Sequence, residues 1–407
     1  MNNRVSRLSG IIQKLKYLIK MATDNGKSAA LRLIPLFFCF AVMGFIDIVG
    51  VATNYVKVDF SLSDTVANLL PSMSLIWFLL ISIPSAALMN RIGRKNTVLL
   101  SLVIMAAALV LPVVGYSRTL IYLAFGLLGI GNTIMQVSLN PLLKNVISDE
   151  KMTSSLTLGQ CVKSIVSFIG PTILAACSSQ FGNWKVIFYI YAAATLLALV
   201  WLYLTPIERE TPQGAEGGFA SIFSLLGDRT VLMCFLTILM SVGFELSTAV
   251  LIPQHFAKVA GTTLEAGSIA LSIFYAMKMA GTFVGAILLA KVSPKSFFKV
   301  TTVGLVLSFA AYWMSGAAWM LYTFMILTGL FGANIFSIAF SLAMQHLPER
   351  SNDVSALMIT GVTGGAVLPP VMGIVSDNFG FMASFSVPFA AIVVMVLLSF
   401  VLGRKNA

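Results

Sequence analysis

Charge is what this sequence has least of. Only 10% of its 407 residues are Asp, Glu, Lys or Arg, against about 25% in soluble domains. Its mean hydropathy is +0.93. A water-soluble globule is excluded. Chemistry-bearing residues are scarce as well. There are two histidines and four cysteines. His255 and His346 sit near the ends of apolar runs, are not spaced as metal ligands and read as water-exposed caps. Cys39, Cys161, Cys177 and Cys234 all fall inside apolar runs. They have neither metal-ligand spacing nor a loop placement suited to disulfides, so they read as small apolar residues. The chain has no Walker loop, no glycine-rich nucleotide fingerprint and no nucleophile elbow. Nothing in it points to an enzyme, a metal or a cofactor. Strand-like alternation is missing too. Only helices and closed barrels span lipid, and the continuous apolar runs exclude the barrel.

Those runs are long enough for a hydrocarbon core of about 30 Å, which takes about 20 residues of helix. Twelve spans are predicted, near 33–58, 65–89, 97–116, 119–145, 153–180, 186–205, 229–258, 266–291, 298–315, 318–345, 354–376 and 382–403. Four segments follow: a basic N-terminal segment at 1–30, a six-helix bundle at 31–205, a linker at 206–228 and a second bundle at 229–407. The linker combines acids, Pro and Gly with little apolar continuity. Residues 1–30 lack a small-residue cleavage site after an apolar core. They read as a short basic helix on the inner leaflet, as a basic tail, or as residues ahead of a start at Met21.

The basic residues set the orientation. With both termini cytoplasmic, the far side holds only the cations Lys57, Arg118, Lys185 and Lys258. That asymmetry follows the positive-inside rule. The net charge of +11 is then a matter of topology, and no nucleic-acid partner is implied.

The halves resemble each other at an offset of about 200 residues. SAALMNRIGRK at 85–95 aligns with GAILLAKVSPK at 285–295, and GLLG at 126–129 with GLFG at 329–332. IGPTILAACSSQFG at 169–182 aligns with VLPPVMGIVSDNFG at 367–380. Gly-Phe precedes an acid in both halves, at Asp47 and Glu245. Parallel repeats about an axis along the membrane normal are one transporter design.

Four charged residues stand inside the apolar spans: Asp47, Lys163, Glu245 and Lys278. A charge at bilayer depth costs about 2.5–3.5 kcal/mol on insertion scales and marks a functional path by default. Asp47 lies about 21 Å into its span at 1.5 Å per residue, near mid-membrane. It is a candidate proton carrier, or one half of a static pair with Lys163. Glu245 is the rival proton site, and a Glu245–Lys278 pair would mirror Asp47–Lys163. Asn132, Gln136 and Asn140 are spaced by four and share a face of the fourth span. With Gln160 and Asn334, and more weakly Asn54 and Tyr275, they offer the donors and acceptors a sugar would use. Helix-to-helix hydrogen bonding is the other reading. Gly364, Gly365, Pro369 and Pro370 should bend span eleven, as a gate hinge or for close packing. Trp184, Trp201 and Trp319 read as interface anchors.

The loop Asn90-Arg91-Ile92-Gly93-Arg94-Lys95 resembles the signature loop of the major facilitator superfamily, in which an acid usually stands at the Asn90 position. The resemblance assigns Asn90, Arg91, Gly93 and Arg94 to gating. From about residue 30 onward the chain is similar to the fucose–galactose–glucose proton symporter group, the fucose permease-like transporters. Gln136-Val-Ser-Leu-Asn140-Pro141, Leu158-Gly-Gln160-Cys-Val-Lys163 and Gly364-Gly365-Ala-Val-Leu-Pro369-Pro370 carry that likeness. It implies an all-α fold of twelve transmembrane helices in two pseudo-symmetric bundles. It also implies a monomer in a bacterial inner membrane that takes up a monosaccharide with protons, Asp47 coupling the two. Two departures stand out. The group's fourth-span glutamate is Gln136 here, and its frequent asparagine is Lys163. An acid lost and a base gained admit an anionic sugar, uronic or sialic, with a lysine on its carboxylate. Proton-driven drug efflux is a further alternative.

Overall fold

A computed structural model describes residues 31–62, 69–210, 219–261 and 264–403. The expectation for residues 1–30 therefore lies outside the described residues. Described residues are helical or in connections. The twelve membrane helices are α1 (31–59), α2 (Leu69–Ile92), α3 (Arg94–Val114), α4 (Arg118–Lys144), α5 (Asp149–Phe181) and α6 (Val186–Leu204). Then follow α7 (Arg229–Ala260), α8 (Leu264–Leu289), α9 (Pro294–Trp313), α10 (Ala318–His346), α11 (Pro348–Phe379) and α12 (Phe381–Leu402). A short helix at Phe219–Ser224 precedes the second six.

Among the described residues, nine of these helices are long and apolar enough to cross a membrane by themselves. The remaining three each include side chains outside the described residues. α1 is interrupted by a tighter 3-10 stretch at Gly44–Ile48. α5 opens with Asp149 and Glu150 and carries Lys163 in its middle. In α2 the described apolar stretch is Ile76–Ile92.

Helix ends follow local chemistry. Asp228 caps α7 by accepting the Thr230 and Val231 backbone N–H groups at 2.8 and 3.0 Å, which satisfies donors that no helical carbonyl reaches. Gly182 and Gly261 end α5 and α7 in the left-handed region, where a Cβ is penalised.

Three breaks shape the interior. In α1, Gly44 lies so close to α5 that a Cβ there would come within 2.8 Å of the Lys163 carbonyl oxygen. Phe45 stacks on Tyr191 of α6 at 3.8 Å. These two contacts fix the turn that carries Asp47. α10 is interrupted at residues 333–334. α11 breaks into a 3-10 turn at Gly361–Thr363, ahead of the expected place. Pro369 and Pro370 lie inside the regular helix that follows. The glycine pair serves packing: a Cβ on Gly364 would stand 1.9 Å from the Leu239 carbonyl oxygen of α7.

Two sequence readings are corrected by packing. His255 is fully buried. It stands edge-on to Tyr312 of α9 and Phe385 of α12, with ring centroids 4.9 and 4.8 Å away. A position near a span end therefore did not mean water. Trp184 is buried as well and donates Nε1–H to Asp59 at 2.9 Å, whereas Trp201 and Trp319 are exposed. The four cysteines are buried and free.

Candidate functional site: a central charged path and its seal

The two halves meet through polar contacts, and these are unevenly placed. Among the described residues, hydrogen bonds between halves lie from mid-depth to the end that holds the termini. Ser154 of α5 donates to the Ala286 carbonyl of α8 at 2.6 Å. Thr153 and Ser341 share a 2.6 Å hydrogen bond. Ser355 of α11 donates to the Val137 carbonyl of α4 at 2.6 Å. The densest cluster surrounds Arg94, a buried residue at the start of α3. Its guanidinium donates across the boundary to Asn352 at 2.7 Å and to Ser351 at 2.5 Å. Within its own half it reaches Asn145 at 2.5 Å and the Pro141 carbonyl at 3.3 Å.

The missing acid of the α2–α3 loop is supplied from elsewhere. Asn90 accepts from Asn352 at 2.7 Å and donates to Asp353 at 3.4 Å. Asp353 also pairs with Arg350 at 2.9 Å. Arg350 in turn donates to the Ser221 hydroxyl of the short helix at 2.8 Å. Glu210 accepts the Arg94 backbone N–H and the Asn145 amide, the latter at 2.9 Å. It places a carboxylate at the N-terminus of α3, where the helix dipole favours one. Gly93 holds φ +87°, a conformation that disfavours side chains. Arg91 lends its carbonyl to Arg209. Sequence reasoning found the loop but missed Glu210, Asn145, Ser351, Asn352 and Asp353. Acids and amides next to basic loops are common, so nothing local marked them.

Outside the membrane, Asp228 joins the same end through His346, 3.0 Å away. Burial pushes the Asp228 carboxyl up. Hydrogen bonds from Val231, His346 and Thr230, with the His346 charge, outweigh burial and hold it below the ordinary carboxylate value.

The four intramembrane charges fall deeper. Asp47 is exposed although it sits in the middle of its span, inside the α1 break. Ser167 of α5 donates its hydroxyl to the Asp47 carboxylate. Lys163 is half-buried one helical turn before Ser167. The expected Asp47–Lys163 ion pair is not formed. Among the described residues no acid lies within ion-pair distance of Lys163, and Ser167 occupies the partner position on Asp47. The other pair is formed: Lys278 of α8 binds Glu245 of α7. Glu245 sits in unbroken helix, so the pseudo-symmetric acids differ in both backbone and partner. Tyr275, partly exposed on α8, lies within electrostatic reach of both Glu245 and Asp47.

The amide stripe is placed differently from expectation. Asn132 and Asn140 are 1% exposed, and both polar atoms of each are buried without a partner. Gln136 retains the most exposure of the three. A shared helix face thus did not mean a shared cavity, because α2, α3 and α11 pack over parts of α4. Asn334 is buried at the α10 break, where it donates to the Gly281 carbonyl of α8 at 3.0 Å. Its Nδ2 binds helix to helix, and its Oδ1 is buried without a partner. Gln160 stays half-buried, one turn before Ser164. The Asn54 side chain lies outside the described residues. No group of three or more potential metal ligands occurs among them.

The sequence matches the Major Facilitator Superfamily profile over residues 33–361 and 233–406. A glucose/galactose transporter of Brucella abortus is 24% identical over 388 residues, covering 90% of this chain and 92% of its own. The transporter FucP in its outward conformation superposes with a TM-score of 0.81 at 18% identity, covering 93% of this chain and 99% of its own. The proton:xylose symporter XylE superposes with a TM-score of 0.74 at 13% identity, covering 93% and 97%. With twelve helices in two halves, a charged interior and a profile match along nearly its whole length, the chain belongs to the Major Facilitator Superfamily of membrane transporters.

Proposed function

We propose that this transporter takes up a monosaccharide or sugar derivative together with protons, by alternating access of the two halves around the central charged path. The observation that carries the reading is Asp47. It is an ionisable group at mid-span, exposed at a helix break in the first half, held by a hydroxyl and by no cation. A carboxylate in that setting gains and loses a proton as its surroundings change, since burial favours the neutral form and a nearby cation the ionised form. The glucose/galactose relative supports the substrate class. Gln136, Gln160 and Tyr275 keep polar atoms near the path and are the hydroxyl-binding candidates.

The asymmetry of basic residues supports cytoplasmic termini, and the Brucella relative supports a bacterial inner membrane. The seal then lies on the cytoplasmic side, and the conformation described is outward-facing. Residues 31–205 and 229–407 act as the two moving bodies, linked by 206–228.

The test is uptake into proteoliposomes from a panel of neutral and acidic sugars, with and without an inward proton gradient. Wild type is expected to accumulate one of them only with the gradient. Asp47→Asn is expected to exchange it but not accumulate it. Accumulation by Asp47→Asn equal to wild type refutes Asp47 as the coupling group, and no movement of any sugar refutes the substrate class.

A further inference from the structure

We infer that the transported sugar carries a carboxylate, that Lys163 binds it, and that proton and sugar cross together without net charge. The inference rests on the proton-coupled sugar reading and deepens it.

The argument is a charge count along the path. Glu245 and Lys278 neutralise each other. Asp47 and Lys163 are left, unpaired with one another and carrying opposite charges. Tyr191 of α6 and Tyr275 of α8 are the phenols near Asp47, and both are neutral in the physiological range. With Asp47 ionised and no substrate, the path sums to zero. Protonation of Asp47 leaves Lys163 as the single uncompensated charge. A lone charge at that depth is the arrangement membranes disfavour. A neutral sugar would leave it lone, and a monoanionic sugar cancels it. The empty carrier and the loaded carrier are then both neutral, so each can pass through the occluded state.

Geometry agrees with the count. Lys163 and Ser167 are one turn apart, so their Cβ atoms lie about 5–6 Å from each other on one face of α5. Ser167 touches Asp47. A carboxylate beside Lys163 therefore lies next to Asp47. An ionised Asp47 would repel it. A protonated Asp47 becomes a donor and attracts it. Proton and substrate bind cooperatively at one place, with no further coupling device.

The experiment uses the full chain in proteoliposomes, with glucose, galactose, glucuronate, galacturonate and N-acetylneuraminate as probes. An inward proton gradient is imposed with the membrane potential either clamped to zero or inside-negative. An acidic sugar is expected to accumulate to the same level at both potentials. Lys163→Gln should lower that uptake by at least about tenfold, the scale of losing one partner of a charge pair. Lys163→Arg should retain it, which separates loss of charge from loss of fold. Accumulation of a neutral hexose alone, stronger with an inside-negative potential, overturns the inference and leaves proton-coupled sugar uptake standing. Acidic-sugar uptake unchanged in Lys163→Gln overturns the role of Lys163. Failure of every probe overturns the sugar reading itself, and this inference falls with it.

Discussion

Replacing Arg94 with alanine removes two kinds of bond, and only one kind biases the transport cycle. The contacts to Asn145 and the Pro141 carbonyl stay within the first half and persist in either conformation. The contacts to Asn352 and Ser351 cross between halves and exist only while the terminus end is closed. A hydrogen bond from a charged group contributes about 1.5–3 kcal/mol net. Arg94 is 6% exposed, so solvent screens it little. Losing the two crossing bonds should favour the open form by about 3 kcal/mol at the low end, roughly a hundredfold in population. Cys161 of α5 is a built-in reporter. It is buried at the contact with α8, its thiol 3.9 Å from the Met279 carbonyl oxygen. Opening the terminus end separates α5 from α8 and exposes it. With Cys39, Cys177 and Cys234 changed to serine, maleimide labelling of Cys161 in detergent should be far faster in Arg94→Ala. Equal labelling rates would refute the assignment of Arg94 to the seal.

Gly364→Ala should destabilise the second half, because the new methyl would press on the Leu239 carbonyl oxygen and overpacking costs about 1–3 kcal/mol. Gly373→Ala, with nothing within 4 Å of a built Cβ, is the control, and melting in detergent separates them. Asp228 has a carboxyl held below its ordinary value, so its ionised form favours the folded state. That contribution is present above the unfolded-state value and lost as the pH falls through the depressed one. The melting-temperature gap between wild type and Asp228→Asn should therefore persist through mild acid and close only in strong acid. A gap that closes in mild acid would refute the assignment to the Asp228 carboxylate.

The sequence by itself determined the membrane class, the twelve helices, the two-half repeat and the four charges inside the spans. All of these follow from one-dimensional quantities: run length, charge scarcity and spacing. Hydrocarbon forces backbone bonds to close within a helix, so apolar length translates directly into structure. Which polar groups meet was decided only by tertiary structure. Asp47 and Lys163 are mid-span on neighbouring helices, and opposite charge suggested a pair. The α1 break at Gly44–Ile48 instead presents Asp47 to Ser167. Asn132 and Asn140 share a face with Gln136, but neighbouring helices cover that face unequally. His255 is near a chain end of its span yet enclosed by rings from α9 and α12. The seal joins residues more than 250 positions apart, as in Arg94 to Asn352. Periodicity gives the face of a helix. Only packing says what lies opposite, because crossing angles and helix breaks are set by side chains far away in the chain.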